Sequence, residues 1–458
     1  MTDPRRLGSR GGGARWLRLA GVALAAALAA TGCDHAASPA SPGPDAGAAS
    51  GGVAGGSPAN ASAVAPLDPS APGSAIGSAG SPPPFGSPDA SGSPGPVAGA
   101  SLPAPEYDPA KFGFAAKGLR GEVMAFVTTS QVDDALARLD FESTSTIAFF
   151  SLVAASDGSI SHDTRWRTWN TRQVDDLIAR AHATGTKVVV SLARFSWSAS
   201  QTRTSTSVLA SAANRRRLAA AVADEVVRRG IDGVNVDFEP IPSGQKANFT
   251  DLVRRIRAEL DARGPGYQLT FDVVGHFESY DVGGVLAPGG ADAVYLMGYH
   301  YAGTFSTIAH ATAPLGGPRY SVADAIRGLR KVARPAQLIV GVPYYGHLWP
   351  TVSGALNART TGDGYDVLYE DARLIGPKHG ATYDPVERVQ HAAWRGRACA
   401  TCPLHWFQLY YDDARSLGAK WAEFRRQGLL GTGIWTSAFE GPSGELTDAL
   451  RAAWLVGP

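Results

Sequence analysis

The residues best suited to chemistry lie in one short segment of the chain. Positions 230–240 read Gly-Ile-Asp-Gly-Val-Asn-Val-Asp-Phe-Glu-Pro. Because side chains alternate across an extended strand, Asn235, Asp237 and Glu239 share one face, while Val236 and Phe238 share the other. A carboxyl group that is buried beside a second carboxylate holds its proton more tightly, and such a pair suits the cleavage of a glycosidic bond. Three polar positions in a row on one face argue against a purely structural polar ladder.

A larger repeating pattern must position this segment. From Tyr107 onward, short apolar runs alternate with longer amphipathic stretches, which predicts parallel strands joined by helices. The eight predicted strands are Glu122–Val127, Thr146–Leu152, Lys187–Leu192, Gly233–Phe238, Gln268–Val274, Ala293–Tyr299, Gln337–Pro343 and Gly431–Thr436. Eight such units favour a closed (β/α)8 TIM barrel of the α/β class. Glu239 then lies at the carboxyl end of its strand, where barrel active sites are found.

Helices are predicted between these strands, and one interval is too long for a helix alone. The predicted helices are Gln131–Leu139, Thr171–Ala183, Val208–Arg229, Ala247–Arg263, Val322–Val332 and Asp413–Gln427. Nearly 90 residues, rich in Gly, Tyr and Trp, separate the seventh strand from the eighth. A single connection of that length is unusual. We therefore predict an α+β insertion at about residues 347–410 that forms one wall of a cleft.

The segment at 230–240 resembles the signature of glycoside hydrolase family 18, the chitinase-like family, which reads Asp-Gly-x-Asp-x-Asp-x-Glu on the fourth barrel strand. Asp232, Gly233, Asp237 and Glu239 match this signature. Asn235 replaces its first inward Asp, as in the branch that contains spore-cortex and peptidoglycan N-acetylglucosaminidases. The resemblance implies a glycosidase that acts on polymers of N-acetylglucosamine.

Other motifs of that family recur in the same order along the chain. Tyr295–His300 resembles the sixth-strand Met-x-Tyr-Asp, with His300 in place of Asp. Ser191 matches the Ser of the third-strand Ser-x-Gly-Gly, although Ala193 and Arg194 replace its glycines. Segments that resemble the seventh strand, the final helix and the eighth strand lie at residues 338–346, 411–420 and 431–435. Several ordered motifs are stronger evidence than any single one.

The resemblance also implies a mechanism in which the substrate supplies the nucleophile. Glu239 protonates the glycosidic oxygen, and the 2-acetamido oxygen of the substrate attacks the anomeric carbon. Asp237 holds the acetamido N–H, and the Tyr299 hydroxyl donates to the acetamido oxygen. Such a reaction requires neither a metal nor an organic cofactor.

Further residues are expected to bind the sugar or to support the catalytic groups. Trp435, at the end of the eighth strand, is expected to form an apolar floor beneath the reacting ring. For Tyr344 and Tyr345, a role as subsite walls and a packing role are both open. The remaining candidates for substrate binding are Ser191, Asn235 and Met297.

Two other functions remain open on the sequence alone. The first is a chitinase-like lectin that binds the glycan without cleaving it, although such lectins lack the acid that is present here as Glu239. The second is a glycosidase with a conventional second carboxylate, for which Glu440 is the candidate. The sequence does not separate chitin, peptidoglycan and N-glycans as substrates.

The first hundred residues carry signals of export. An apolar run at 19–30 follows a basic start, is too short to span a bilayer comfortably and suits a signal peptide. Thr31-Gly-Cys33 resembles a bacterial lipobox, so we expect Cys33 to be lipidated; ordinary secretory cleavage near Ala30 is the alternative. Residues 34–104, rich in Ala, Gly, Ser and Pro, are predicted to be a disordered linker. The barrel domain is assigned to 105–458.

These assignments predict an exported lipoprotein, anchored to a membrane on its periplasmic or cell-surface side. A formal net charge of +1 argues against a nucleic-acid partner, and we expect a monomer. In an exported protein, Cys399 and Cys402 are expected to form a local disulfide. A zinc site that adds His391 and His405 is the alternative for these cysteines.

Overall fold

A computed structural model describes residues 108–397 and 401–456. Its strands, in chain order, are β1 (Glu122–Thr128), β2 (Thr146–Val153), β3 (Lys187–Phe195), β4 (Gly233–Glu239), β5 (Gln268–Val273), β6 (Ala293–Leu296), β7 (Leu338–Pro343), β8 (Tyr345–Thr351), β9 (Tyr365–Leu368), β10 (Thr382–Asp384), β11 (Val389–Arg397), β12 (Leu404–Tyr411) and β13 (Gly431–Trp435).

Eight of these strands close into a parallel barrel in the order β1-β13-β7-β6-β5-β4-β3-β2. The barrel closes where β1 pairs with β13, with Glu122 opposite Gly431. The predicted (β/α)8 barrel is confirmed, and each predicted barrel strand overlaps an observed one. The sixth strand ends at Leu296 instead of Tyr299. Met297 and Tyr299 therefore belong to the loop at the carboxyl end of the barrel.

Helices lie between the barrel strands and cover their outer face. They are α1 (Val132–Arg138), α2 (Thr164–Trp169), α3 (Arg172–Ala183), α4 (Ala199–Ala210), α5 (Ala212–Arg229), α6 (Lys246–Arg263), α7 (Val282–Leu286), α8 (Val322–Leu329), α9 (Tyr369–Lys378), α10 (Ala414–Arg426) and α11 (Glu445–Trp454). The single helix predicted at Val208–Arg229 is wrong. The chain breaks at Ser211, whose side chain accepts a hydrogen bond from the Asn214 amide and so starts α5 afresh.

The barrel interior is filled by side chains, and Tyr295 of β6 lies at its centre. The Tyr295 ring packs edge-on against Phe126, with centroids 5.1 Å apart. Gly341 and Gly433 leave room for this ring, because a Cβ atom at either position would lie 2.2 or 2.1 Å from its atoms. The interior beneath the carboxyl ends of the barrel strands is therefore closed.

The insertion between β7 and β13 is an antiparallel sheet, ordered β10-β11-β12-β8-β9, with α9 beside it. The predicted α+β insertion is confirmed, but its sheet begins at Tyr345, slightly before the predicted boundary. Trp349 Nε1 donates to the carbonyl oxygens of Gly303 and Thr304, each at 3.2 Å. The insertion is thus attached to the loop that follows β6.

Some assignments from the sequence fall outside the described residues. These are the signal peptide, Cys33, the linker at 34–104 and Cys399. Among the residues that are described, no helix combines the length and the apolar character needed to cross a membrane.

Candidate active site

The two ends of the motif around β4 have different tasks. At the amino end, Asp232 accepts hydrogen bonds from His182 and from the Val188 amide, both at 2.8 Å, and it ties β4 to its neighbours. Next to it, Gly233 approaches β5 so closely that a Cβ atom would lie 1.9 Å from the Gln268 oxygen. These two positions of the motif hold the strand in place, whereas the chemistry lies at its carboxyl end.

Asp237 and Glu239 lie at that carboxyl end, one above the other on the inner face of β4. Glu239 is partly exposed at the open end of the barrel, while Asp237 beneath it is 2% exposed. Their carboxyl groups are hydrogen-bonded to each other. Within the described residues, Asp237 Oδ1 has no hydrogen-bond partner.

Burial and mutual repulsion control the protons of this pair. Burial raises the pKa of Asp237 to about 7, and the hydrogen bond from Glu239 opposes this shift. The pKa of Glu239 is raised well above its usual value, first by burial and then by the neighbouring charge of Asp237. Glu239 therefore carries the shared proton at neutral pH, which is the state that a general acid requires.

A hydrogen-bond network fixes the residues below this pair. Thr270 Oγ1 donates to Asn235 Oδ1 at 2.7 Å, and Asn235 Nδ2 donates to Asp272 Oδ2 at 2.8 Å and to Ser191 Oγ at 3.3 Å. Asn235 and Ser191 are both 0% exposed. Both side chains therefore support the carboxyl pair from beneath, and a direct contact of either with substrate stays a prediction.

Asp272 on β5 is the residue that the sequence analysis missed. It is 2% exposed, and its pKa is raised well above the usual value by burial and then by the charge of Asp237. Applying the alternation rule to β5 would have found it, because Gln268, Thr270 and Asp272 occupy the inward positions that Asn235 and Asp237 occupy on β4.

Aromatic rings lie beside the carboxyl groups. The partly exposed Trp435 packs against Phe150 at 4.9 Å, Phe126 at 5.5 Å and Tyr299 at 6.5 Å between centroids. Burial raises the pKa of the Tyr299 hydroxyl well above its usual value, so this group keeps its proton and can act as a donor. Met297 is 9% exposed and packs in the same interior cluster.

Two exposed rings at this end of the barrel were also missed by the sequence analysis. Trp197, which follows β3, is 48% exposed, and Phe305, on the loop after β6, is 61% exposed. Large apolar rings that remain in water on loops near a site are candidates for contact with a ligand. Their sequence signal was weak, because an aromatic residue in a loop does not by itself indicate exposure.

Comparison with known proteins identifies the family of this barrel. The family model described as "Glycosyl hydrolases family 18" matches residues 118–439. The chain belongs to glycoside hydrolase family 18. Its predicted resemblance to that family is confirmed.

Relatives within family 18 include proteins with different names. Chitinase A1 of Niallia circulans is 28% identical over 294 residues, covering 54% of this chain and 40% of that protein. The sporulation-specific glycosylase YdhD of Bacillus subtilis is 25% identical over 233 residues, covering 48% of this chain and 50% of that protein. The chain thus spans half or less of the length of these two relatives.

Solved structures of family 18 share the fold. A chitinase from Cycas revoluta in complex with (GlcNAc)3 has a TM-score of 0.63 at 16% identity, covering 72% of this chain and 99% of that one. A chitinase-like agglutinin from Robinia pseudoacacia has a TM-score of 0.62 at 18% identity, covering 72% of this chain and 98% of that one. The same barrel therefore occurs in proteins described as an enzyme and as an agglutinin.

The two tyrosines after β7 point to different sides of this family 18 barrel. The Tyr345 ring lies 6.4 Å from Tyr299 and 5.7 Å from His300, on the side of the site. Tyr344 is 1% exposed and packs in the outer core between strands and helices. Tyr344 is therefore not a subsite wall, because alternation turns it away from the barrel opening.

His300 occupies the position where the family motif has Asp. Its backbone is left-handed, with φ of 62°. Its side chain is exposed to solvent on one side but is surrounded by neighbouring residues on the others. This enclosure, followed by the nearby His347, lowers the pKa of His300 to about 4. The imidazole is therefore neutral at neutral pH and does not replace the charge of an Asp.

Glu440, the candidate for a conventional second carboxylate, has a different task. Its Oε1 accepts hydrogen bonds from the amides of Leu446 at 2.7 Å and Thr447 at 3.1 Å, and its Oε2 accepts one from Thr447 Oγ1 at 2.6 Å. The carboxylate thus caps the amino end of α11, where the helix dipole favours a negative charge. This binding argues against Glu440 as a nucleophile.

The two histidines of the alternative zinc site near the cysteines are too far apart to bind the same ion. His391 pairs with Tyr410, whereas His405 pairs with Gly396, five residues further along β11. Because a strand rises about 3.3 Å per residue, the two histidines lie roughly 16 Å apart. That distance is too large for both to bind one ion. Among the described residues, no group of His, Cys, Asp and Glu could hold a metal. The disulfide remains a prediction, since Cys399 is outside them.

Proposed function

We propose that this family 18 protein cleaves β-1,4-linked N-acetylglucosamine polymers by substrate-assisted, retaining catalysis. The observation that carries the proposal is the carboxyl pair on β4. Glu239 holds a proton at the open end of the barrel, and Asp237 beneath it presents an unpartnered, buried Oδ1. A polar atom buried without a partner is costly, so a ligand N–H that satisfies it would be bound favourably.

The proposed reaction conserves the protons of the site. Glu239 gives its proton to the glycosidic oxygen while the acetamido carbonyl oxygen attacks the anomeric carbon. The bond to the leaving alcohol breaks, and a cyclic oxazolinium ion forms, whose N–H is held by Asp237. Water then attacks the anomeric carbon, and Glu239 takes a proton from this water as the ring opens. Two inversions give net retention, and Glu239 ends protonated as it began.

The surrounding rings suit this reaction. Tyr299 keeps its proton and can donate to the acetamido oxygen, which accumulates charge as it attacks. Trp435 is partly exposed and braced by Phe126 and Phe150, so its face can support the apolar side of a sugar ring. Exposed Trp197 and Phe305 are candidates for stacking with further sugars of a polymer.

The names of the relatives support a substrate that contains N-acetylglucosamine. They include a chitinase solved with (GlcNAc)3 and a sporulation-specific glycosylase. The Asn235 replacement favours the peptidoglycan-directed branch. We further propose that the enzyme is exported and anchored through a lipid on Cys33, which would place it where cell-wall or environmental glycans are found.

Product analysis on chitooligosaccharides beside purified peptidoglycan tests the proposal. The wild-type protein should release shorter products that retain the β configuration. The matched Glu239→Gln variant should fold with an unchanged melting temperature and lose at least about 10²-fold in rate, since it cannot transfer a proton. Binding of either glycan by the wild type with no products would favour the lectin instead. A Glu239→Gln variant that keeps more than about a tenth of the rate, a loss of only about 1.4 kcal/mol, would remove Glu239 as the acid.

A further inference from the structure

A third buried carboxyl group lies beside the site and has no role in the reaction described above. Asp272 is 2% exposed, and its Oδ2 accepts the 2.8 Å hydrogen bond from Asn235 Nδ2. Its Oδ1 has no partner in the part of the chain that is described. Extending the β4–β5 register by one residue beyond Val236 and Phe271 sets Asp237 opposite Asp272, at the strand spacing of about 4.8 Å.

The orientation of the Asn235 amide is fixed. Because the Thr270 hydroxyl donates to Asn235 Oδ1, the amide must present its N–H groups to Asp272 and Ser191. An amide cannot hold or release a proton as a carboxyl group does. The carboxyl group that the family signature carries at position 235 is therefore present here on the neighbouring strand, held in place by the residue that replaced it.

We infer that Asp272 is a positioning residue that substitutes from β5 for the carboxyl group missing at Asn235 and that keeps the proton on Glu239. The inference rests on the proposed function. Asp272 touches neither the sugar nor the reacting atoms. Three carboxyl groups in a water-poor interior cannot all be ionised together. Once Asp237 and Asp272 are ionised, their charge makes it harder for Glu239 to lose its proton to the solvent.

The electrostatic effects within the site are consistent with Asp237 and Asp272 being ionised before Glu239. The charge of Asp237 raises the pKa of Asp272, after burial, and the charge of Asp272 is among the causes that raise the pKa of Glu239. The titratable groups that face Asp272 are Asp237 and Glu239 on β4, Tyr280 after β5, Tyr295 on β6 and Tyr299 after β6. Burial raises the pKa of all three tyrosines, so they stay neutral and the carboxyl groups determine the charge.

The pH dependence of kcat/KM in four proteins tests the inference. In Asp272→Asn, the alkaline limb, which reports loss of the Glu239 proton, should move to lower pH by about one unit or more, because a repelling charge is gone. In Asn235→Asp/Asp272→Asn, which moves the carboxyl group to β4, the limb should return towards the wild-type position. Glu122→Gln is the matched control. It removes another fully buried, inward-facing carboxyl group, at the amino end of β1, and should leave the limb unchanged.

Two outcomes would overturn the inference. In the first, the alkaline limb of Asp272→Asn coincides with that of the wild type. In the second, the alkaline limb of the double variant coincides with that of Asp272→Asn. A structural role alone would lower the melting temperature without moving the limb. If Asp272→Asn does not fold, Asp272→Ser keeps an acceptor for Asn235 and serves the same comparison.

A readout on the protein alone separates this inference from the proposed function. The infrared carbonyl band of protonated Glu239, identified as the band that Glu239→Gln removes, should disappear at lower pH in Asp272→Asn than in the wild type, and its titration should return towards the wild type in the double variant. If the wild type cleaves no acetamido glycan but this band behaves as expected, the proposed function fails while Asp272 still keeps the proton on Glu239. If cleavage is found and the band titrates alike in these three proteins, the inference fails alone.

Discussion

At the scale of single residues, the different exposure of Glu239 and Asp237 separates their tasks. Glu239 lies partly in the open end of the barrel, where it can reach a leaving group and later a water molecule. Asp237 lies beneath it, closed off from solvent, with one oxygen that finds no partner among the described residues. In the proposed reaction, Glu239 exchanges protons with the bound sugar, and Asp237 acts by holding a group of the substrate.

In the proposed mechanism that group is the acetamido group of the substrate, and its removal provides a sharp prediction. An analogue with a 2-hydroxyl in its place should react at least about 10²-fold more slowly, because it lacks the attacking oxygen and leaves Asp237 buried without its N–H partner. A thiazoline mimic of the cyclic intermediate should bind more tightly than substrate. Asp237→Ala and Tyr299→Phe should each weaken this inhibitor by about tenfold or more, close to 1.4 kcal/mol.

Calorimetry with the thiazoline and initial rates with the two glycosides make the measurement. The exposed variant Arg216→Ala is the control and should bind the inhibitor as the wild type does. Equal rates on the two glycosides, together with covalent labelling of a carboxylate by a fluoroglycoside, would replace the substrate-assisted mechanism with a conventional one.

At the scale of elements, Glu440 links the end of the barrel to the last helix. Glu440→Ala removes three hydrogen bonds to a buried carboxylate and leaves the first amides of α11 without a cap. We expect a loss of about 2–3 kcal/mol in the free energy of unfolding and a melting temperature several degrees lower. Below the transition, kcat should stay within about tenfold of the wild type, since the carboxyl pair on β4 is untouched.

Thermal melts and rates measured on the same samples check this prediction. Asp448→Ala, which removes an exposed acid from the first turn of the same helix, is the control and should change stability little. The opposite pattern, an unchanged melting temperature with cleavage abolished in Glu440→Ala, would restore Glu440 as a nucleophile.

The elements also explain how much of the fold and of the candidate site could be predicted from the sequence. Apolar runs repeat eight times, so the barrel and the inward face of Asp237 and Glu239 followed from alternation alone. Tyr344 and Tyr345 are adjacent and identical in type, and the alternation along β7 decides which one faces the site. Because that strand is apolar on both faces, its sequence alone does not show which set of side chains points inward. The role of Asp272 could not be predicted from the β4 motif, because Asp272 lies on the neighbouring strand β5. Its partner Asn235 lies 37 positions earlier in the chain, and sequence spacing does not show that register.

At the scale of the whole molecule, Cys33 is predicted to decide where the protein acts. Cys33→Ser should release the protein from the membrane fraction or block its processing, because the predicted lipid anchor cannot form. The rate of the solubilised protein should not change, since Cys33 lies far outside the barrel sequence. Fractionation after a high-salt wash makes the measurement, with wild-type protein as the control. A variant that remains with the membranes would show that another segment is the anchor.

The Tyr295 ring and the two glycines that make room for it have a consequence for the history of this chain. A larger residue at Gly341 or Gly433 would strike the ring, while a smaller residue at Tyr295 would leave a cavity under the site. None of the three can change alone at little cost. Among descendants of a common ancestor, these positions should therefore change together: barrels that keep the tyrosine should keep both glycines, and barrels that lose it should fill the space from the neighbouring strands.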